Sequence, residues 1–245
     1  MGKSKSQNGK VKSAGVLAGA IFLLGLAVLA GLWMEQNTRI TGVEFTGYYF
    51  TSVEELDGAF ESPVGMLADS VELGSIYSSL TALPYVKNLN ISMASRGKLD
   101  ITVREREPIG MIINRRNSAF MDSDGVKLPI QLSKDVDVPL VYGFSTEQSD
   151  TLSGDAFEQV RDFLLAARAK PFSWVTISEV TWNKREGVVA LSSENGVKLI
   201  FGNEKYGKKL DNWEAFYEQV ASRKGIRSYR SLDLRFSNQI VADKI

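Results

Sequence analysis

The 245-residue chain contains neither cysteine nor histidine. Without cysteine it forms no disulfide, offers no thiol nucleophile and lacks the soft ligand of many metal sites. Without histidine it lacks the commonest metal ligand and the side chain that serves most often as a general base near neutral pH. We therefore expect no catalytic residue, no metal and no cofactor, because any enzyme would have to work with carboxylates, lysine, serine or tyrosine alone.

The motifs that usually carry chemistry are also missing, including a Ser/His/Asp set, a Walker loop and a Rossmann glycine run. The spacing Asp122-x-Asp124-Gly125 is that of the start of a calcium loop, but the twelfth loop position falls on Ser133 instead of a bidentate acid. The segment therefore predicts a hairpin turn. Basic and acidic residues balance at 29 each, with no basic excess of the kind that nucleic acid rewards.

The segment Ala14–Met34 has 21 residues and no charged side chain. As a helix it is about 30 Å long, which matches the hydrocarbon thickness of a bilayer. A cleaved signal peptide is the competing interpretation, but its apolar core is shorter and a small-residue cleavage site follows it. Here the apolar segment ends in Trp33 and Met34 instead of small residues, so we expect an uncleaved transmembrane helix over residues 14–34.

Four lysines, Lys3, Lys5, Lys10 and Lys12, lie in residues 1–13, where there is no acid. The positive-inside rule places this tail in the cytoplasm and the rest of the chain outside. We expect a single-pass membrane protein whose remaining residues form extracytoplasmic domains with protein-binding functions.

Residues 38–106 predict the order strand, helix, helix, strand, strand. Ser52 and Glu55 have the spacing of a capping box before the first helix, and the second helix is expected from Asp69 to Thr81. Two alternating segments around Ser95-Arg96-Gly97 predict a hairpin with one buried face. The charged run 104–107 is interpreted as the solvated end of a strand at a domain junction.

Residues 107–245 predict a mixed, β-rich domain with two helices packed on its sheet. The expected helices are Ala156–Lys170, with Pro171 just past its end, and Tyr206–Ser222. Expected strands include 109–113, 119–121, 175–180, 188–191 and 197–201, with an Asn195-Gly196 turn before the last of these. The chain ends in two strand-like segments, 232–236 and 239–242. The fold class is thus α+β.

Several short motifs follow one another in an order that resembles the FtsQ/DivIB family of cell-division proteins. The step Leu83-Pro84-Tyr85-Val86 leads into a strand, and Pro108-Ile109 opens the second domain. The later segments that carry the resemblance are Asp122–Gly125, Pro139–Gly143, Val197–Gly202, Lys205–Leu210 and Asp233–Phe236. The tryptophan that some members have close to the C-terminus has no clear match here.

The resemblance implies a POTRA domain over 38–106 and an FtsQ-type β domain over 107–245. It further implies a bitopic inner-membrane protein at the division septum, which is a non-enzymatic scaffold linking early and late division proteins. Its partners would be FtsB- and FtsL-like proteins, received at a C-terminal strand edge, with other division proteins contacting the POTRA domain. The partner-binding residues carried over are Leu232, Leu234, Arg235, Phe236, Ile240 and Val241. Arg235 has two candidate partners, an acid on the bound protein and Asp233 of this chain.

Two alternatives have different functions. One is a POTRA-containing factor for outer-membrane protein assembly or translocation, which would need tandem copies of the unit. The other is a membrane-anchored hydrolase of the cell wall, against which the lack of histidine and of a nucleophile motif argues. Each alternative predicts different partners or a different activity, so an experiment can distinguish it from the cell-division scaffold.

Overall fold

The computed structural model describes residues 19–27, 38–114, 117–145, 149–236 and 239–245. It has two compact units, Met1–Glu105 and Arg106–Ile245. The predicted tail, 1–13, and residues 14–18 and 28–34 of the predicted span lie outside the described residues. Residues 19–27 of that span form a helix, α1. In the part of the chain that the structure describes, no helix has both the length and the apolarity to cross a membrane.

The first unit has the order β1, α2, α3, β2, β3, and its three strands form one sheet in the order β1-β3-β2. The central strand β3 pairs in parallel with β1 and antiparallel with β2. The elements are β1 (Gly42–Thr46), α2 (Val53–Gly58), α3 (Leu73–Thr81), β2 (Val86–Ala94) and β3 (Lys98–Glu105). This is the order predicted for residues 38–106.

Local sequence explains most of this unit. The Ser52 hydroxyl accepts the Glu55 N–H while the Glu55 carboxylate accepts the Ser52 N–H, so the predicted capping box is present. Alternation along β3 buries Leu99, Ile101 and Val103 against the helices. Because β3 has a neighbour on both sides and a fully buried face, it is the strand on which the unit is organised.

The second helix begins later than predicted. Residues 68–70 form one turn of 3₁₀-helix, and α3 starts at Leu73 instead of Asp69. The interruption lies at Val71, whose extended backbone (φ −81°, ψ 120°) separates the 3₁₀ turn from α3, while residues 65–68 hydrogen-bond to the extended segment 38–40. The Ile40 N–H donates to the Met66 carbonyl at 2.9 Å, and the Ala68 N–H donates to the Thr38 carbonyl at 2.9 Å.

The second unit contains one nine-stranded mixed sheet in the order β12-β11-β10-β9-β8-β7-β4-β5-β6. Its strands are β4 (Gly110–Ile112), β5 (Ala119–Met121), β6 (Lys127–Leu128), β7 (Leu140–Tyr142), β8 (Ile177–Asn183), β9 (Gly187–Ser192), β10 (Lys198–Gly202), β11 (Tyr229–Asp233) and β12 (Val241–Lys244). Its helices are α4 (Asp155–Arg168), α5 (Pro171–Thr176), α6 (Tyr206–Phe216) and α7 (Ser222–Lys224), with a π-helical turn at Tyr217–Ala221.

The core of this unit lies between its helices and one face of the sheet. Helix α4 packs on β8 and β9 and against α6. Trp213 of α6 is fully buried and donates its indole N–H to the Thr176 hydroxyl at 3.0 Å. Asn195 and Gly196 both have positive φ, as the predicted tight turn between β9 and β10 requires.

Two predictions for the helices of this unit were wrong in detail. Val175 and Thr176 belong to α5 and not to a strand, because Pro171 begins a helix instead of only following one. Proline suits the first helical position, where its missing N–H is not needed. The helix predicted as Tyr206–Ser222 changes to π geometry at Tyr217.

The charged run 104–107 is not a merely solvated strand end. The Glu105 carboxylate accepts the main-chain N–H groups of Tyr49, Phe50 and Thr51 at 2.6–2.7 Å. Burial, followed by the charge of Glu105, raises the pKa of Tyr85 to about 12. Glu105 therefore fixes the loop between β1 and α2.

The two following residues also form ion pairs. Arg106 donates to the buried Asp122 carboxylate at 2.7 Å and to Asp124 at 3.2 Å. Asp122 in turn accepts the N–H groups of Asp124 and Val126, which makes the predicted hairpin turn. Glu107 pairs with Arg168 at 2.8 Å. The side chains of Glu105, Arg106 and Glu107 therefore each hold local structure instead of only facing solvent.

Replacing Glu105 by glutamine should destabilise the first unit by about 2 kcal/mol, since three charge-assisted hydrogen bonds weaken together. Urea unfolding of the 38–245 fragment, monitored by far-ultraviolet circular dichroism, measures the change in the free energy of unfolding. The matched control is Glu107→Gln, whose carboxylate is 72% exposed and should change stability by less than about 1 kcal/mol. Equal effects of the two variants would contradict this role of Glu105.

Candidate functional site

The two outer strands of the nine-stranded sheet differ in what covers them. At one end, residues 150–152 lie along the outer side of β6 and hydrogen-bond to it and to the turn before it. The Lys127 N–H donates to the Asp150 carbonyl at 2.9 Å, and the Leu152 N–H donates to the Gly125 carbonyl at 2.8 Å. Val126 and Thr151 form a β-bridge at the same place. This end of the sheet is therefore closed by the chain itself.

At the other end, β12 pairs with β11 on its inner side, and none of the described residues pairs with its outer side. All four of its side chains are exposed. An outer strand presents a row of main-chain N–H and C=O groups to solvent, which another strand can satisfy. The strand is short and carries Asp243 and Lys244, features that limit unwanted edge-to-edge aggregation.

The chain leaves β11 through a turn that Asp233 and Arg235 hold together. The Arg235 guanidinium donates to the Asp233 carboxylate through Nε at 2.9 Å and through Nη2 at 2.5 Å. The Arg235 main-chain N–H donates to the same carboxylate at 3.1 Å. Burial raises the pKa of Asp233, but the hydrogen bonds from Arg235 outweigh burial and leave this pKa below its ordinary value.

A buried lysine also helps to hold this turn in place. Lys209 of α6 donates its ammonium to the Phe201 carbonyl at 2.7 Å, and burial lowers the pKa of this side chain. The neighbouring Gly202 has φ +75°, and a Cβ there would lie 3.2 Å from the Arg235 side chain. The Leu234 N–H donates to the Ile200 carbonyl at 2.9 Å. The exit from β11 is thus tied to the end of β10.

The six predicted partner-binding residues fall into three groups. Leu232 and Leu234 are completely buried and belong to the hydrophobic core of the unit. Arg235, Phe236 and Val241 are exposed, with Phe236 and Val241 at 46% and 47%. Ile240 is partly buried and packs on the core.

Sequence reasoning did not identify β12 as the outer strand. The predicted segment 239–242 overlaps it by two residues, and residues 243–244 were not assigned to a strand. Apolar and polar residues alternate little in this segment, so the sequence does not indicate where the strand begins and ends. A groove of about 390 Å³ also lies beside it, between α6 with its π-helical turn and the start of β12. Its lining is Asn212, Ala215, Phe216, Gln219, Val220, Gln239 and Ile240.

No group of three or more acidic side chains that could hold a metal ion occurs within the described ranges, which omit 1–18, 28–37, 115–116, 146–148 and 237–238. In the second unit, the outer side of β12 and the exposed side chains next to it have the capacity to bind another strand.

Comparison with known proteins gives a consistent family. The sequence profile described as FtsQ/DivIB, C-terminal related, matches residues 107–243, which is more than half of the chain. A cell division protein FtsQ from Geotalea daltonii is 24% identical over 247 residues, covering 96% of this chain and 88% of that protein. A second, from Rhodothermus marinus, is 26% identical over 235 residues, covering 92% of this chain and 85% of that protein.

Among solved structures, the chain is similar to the major extracytoplasmic domain of the cell division protein DivIB from Geobacillus stearothermophilus, in its trans isomer. The match has 18% identity and a TM-score of 0.33, and it covers 49% of this chain and 97% of that domain. A TM-score of this size does not by itself establish a shared fold.

The Asp233–Arg235 pair should make stability pH-dependent in acid. The folded pKa of Asp233 is below its unfolded value of about 3.9, so its contribution is complete above that value and is lost as pH falls through the folded pKa. Asp233→Asn should cost about 1.5 kcal/mol at pH 6, and this difference should shrink toward pH 2.5. Urea unfolding across this range measures it.

The control for this series is Asp243→Asn, because Asp243 is 56% exposed and lies 3.6 Å from Arg230. It should change stability by less than about 1 kcal/mol at every pH. A cost for Asp233→Asn that stays constant from pH 6 to pH 2.5 would show that the carboxylate charge plays no part.

Proposed function

The chain belongs to the FtsQ/DivIB family of cell-division proteins, and from that premise we propose that it is a non-catalytic, membrane-anchored scaffold of the division complex. The observation that carries the proposal is the uncovered outer side of β12. The proposed partners are FtsB- and FtsL-like division proteins. A strand of the partner adds to β12 and extends the nine-stranded sheet by one.

Strand addition suits this edge physically. Main-chain hydrogen bonds supply affinity, while side chains at alternate positions supply selectivity. The partner strand does not need to displace anything, since none of the described residues occupies the outer side of β12. The exposed side chains of Phe236 and Val241 then provide apolar area next to the added strand, and burying such area favours a complex.

Arg235 has a defined role in this proposal. In the isolated chain its guanidinium is occupied by Asp233, yet its side chain is still 39% exposed. A guanidinium has five donors and can hold two carboxylates at once. We infer that Arg235 keeps Asp233 and adds an acidic residue of the partner, so that both candidate partners for this arginine are used.

The anchor is the predicted helix over residues 14–34, with the tail 1–13 in the cytoplasm and residues 38–245 outside the inner membrane. The described part of that segment supports this assignment. Ile21, Phe22, Leu23 and Leu24 of α1 are all 66–70% exposed, and such a continuous apolar surface is favourable in lipid and costly in water. We assign the first unit as a POTRA domain that contributes to recruitment at the septum.

Phe236→Asp and Val241→Asp should each weaken partner binding by about tenfold or more, since each places a charge beside the added strand at a cost above about 1.4 kcal/mol. Neither residue is part of the core, so both variants should fold. Co-purification of FtsB- and FtsL-like proteins from the native membrane measures the effect, and circular dichroism checks folding.

Leu132→Asp is the control, because Leu132 is a 98% exposed leucine of the same unit that lies outside β11, β12 and the turn between them. Loss of partners in the two edge variants alone supports both the scaffold and the edge. Retention in all three places the partner site elsewhere. Absence of partners even from wild type would argue for the assembly-factor alternative.

A further inference from the structure

One end of the first unit is built from three segments that are far apart in sequence. The segment 38–41 lies between the loop 62–67 and the β2–β3 turn at Ser95–Gly97. The Arg39 guanidinium donates to the Gly65 carbonyl at 2.7 Å, and the Gly65 N–H donates to the Ile40 carbonyl at 2.8 Å. On the other side, the Thr41 N–H donates to the Gly97 carbonyl at 2.9 Å. We name this end the 38/66 face.

The loop on this face exposes apolar side chains. Val64, Met66 and Leu67 are 52%, 45% and 37% exposed. The second half of the loop is fixed in place, because residues 65, 66 and 68 are hydrogen-bonded to the segment 38–40. Three exposed apolar side chains within four residues of a hydrogen-bonded loop are a candidate interaction surface.

The distance along the chain indicates what this patch meets. The proposed transmembrane helix ends at Met34, and Thr38 follows four residues later. Four extended residues reach at most about 14 Å. The headgroup layer on each side of a bilayer is about 5–8 Å thick. The start of the 38/66 face is therefore held in the headgroup layer or within about 10 Å of it.

The charged groups of this face also suit a lipid surface. Arg39 and Arg96 are both exposed there, and guanidinium groups bind phosphate oxygens well. The exposed acids Glu61 and Asp69 flank the loop, so the face has no net positive charge. Attraction to anionic lipid cannot carry the contact, and burial of Val64, Met66 and Leu67 has to do so.

We propose that the 38/66 face is a lipid-binding surface, with Val64, Met66 and Leu67 inserted in the bilayer interface and the two arginines at headgroup phosphates. This rests on the membrane anchor of the proposed function. The contact fixes the first unit on the membrane by a second attachment. Strand β3 runs from Lys98 at this face to Glu105, about 23 Å further on at 3.3 Å per residue, so the rest of the unit points away from the lipid.

The absence of cysteine from the whole chain allows a direct test. The full chain carrying Met66→Cys is labelled with the environment-sensitive fluorophore NBD and reconstituted into phosphatidylcholine vesicles, with and without phosphatidylglycerol. The matched control is Val53→Cys, at 41% exposure compared with 45% for Met66, and next to the loop that Glu105 binds at the far end of β3.

We expect the label at position 66 to show blue-shifted emission, loss of most quenching by aqueous iodide, and quenching by a nitroxide attached near the lipid headgroup. The label at position 53 should behave as in water. Because the charges of the face balance, phosphatidylglycerol should change these results little. The variant Val64→Ser/Leu67→Ser should restore iodide quenching at position 66.

The alternatives give separate results. A label at position 66 that behaves like the one at position 53, in protein that floats with the vesicles, overturns the lipid contact and leaves the anchor intact. A label protected from iodide but not quenched from the lipid shows a second copy of the chain on this face and also overturns the proposal. Protein that fails to float with vesicles removes the anchor, and the lipid contact with it.

Discussion

An open β-sheet ends in two strands whose outer main-chain groups need hydrogen-bond partners, and the second unit is arranged around that requirement. At the β6 end the chain supplies the partners itself, through residues 150–152. At the β12 end none of the described residues does so. One outer strand of the sheet, β6, therefore has its outer side paired. The other, β12, has an outer side to which a further strand can add.

The outer strand is usable only if the strand beneath it is rigid. Strand β11 is held in parallel pairing with β10, and Leu232 and Leu234 anchor it in the core. The Asp233–Arg235 pair and the Lys209 contact with Phe201 fix the point at which the chain leaves β11. Leu232 and Leu234, which were expected to contact a partner, are buried in the core, and through β11 they position the neighbouring strand β12.

Much of the fold was predictable because its signals are local. The capping box at Ser52 and the Asn195-Gly196 turn each depend on a few adjacent residues, and both were confirmed. The errors arose where distant segments decide. The position of β11 inside the sheet depends on parallel pairing with β10. The role of Glu105 required knowledge of which N–H groups lie opposite it, which spacing in sequence does not show.

The central claim is that a partner strand pairs with β12, and amide hydrogen exchange tests it most directly. Exchange would be measured on the protein alone and on the complex co-purified with its FtsB- and FtsL-like partners. The account predicts new protection of the outward-facing amides of β12, with little change at β6, whose outer side is already occupied. Unchanged exchange across β12 in the complex, with protection appearing on β2 of the first unit instead, would contradict it.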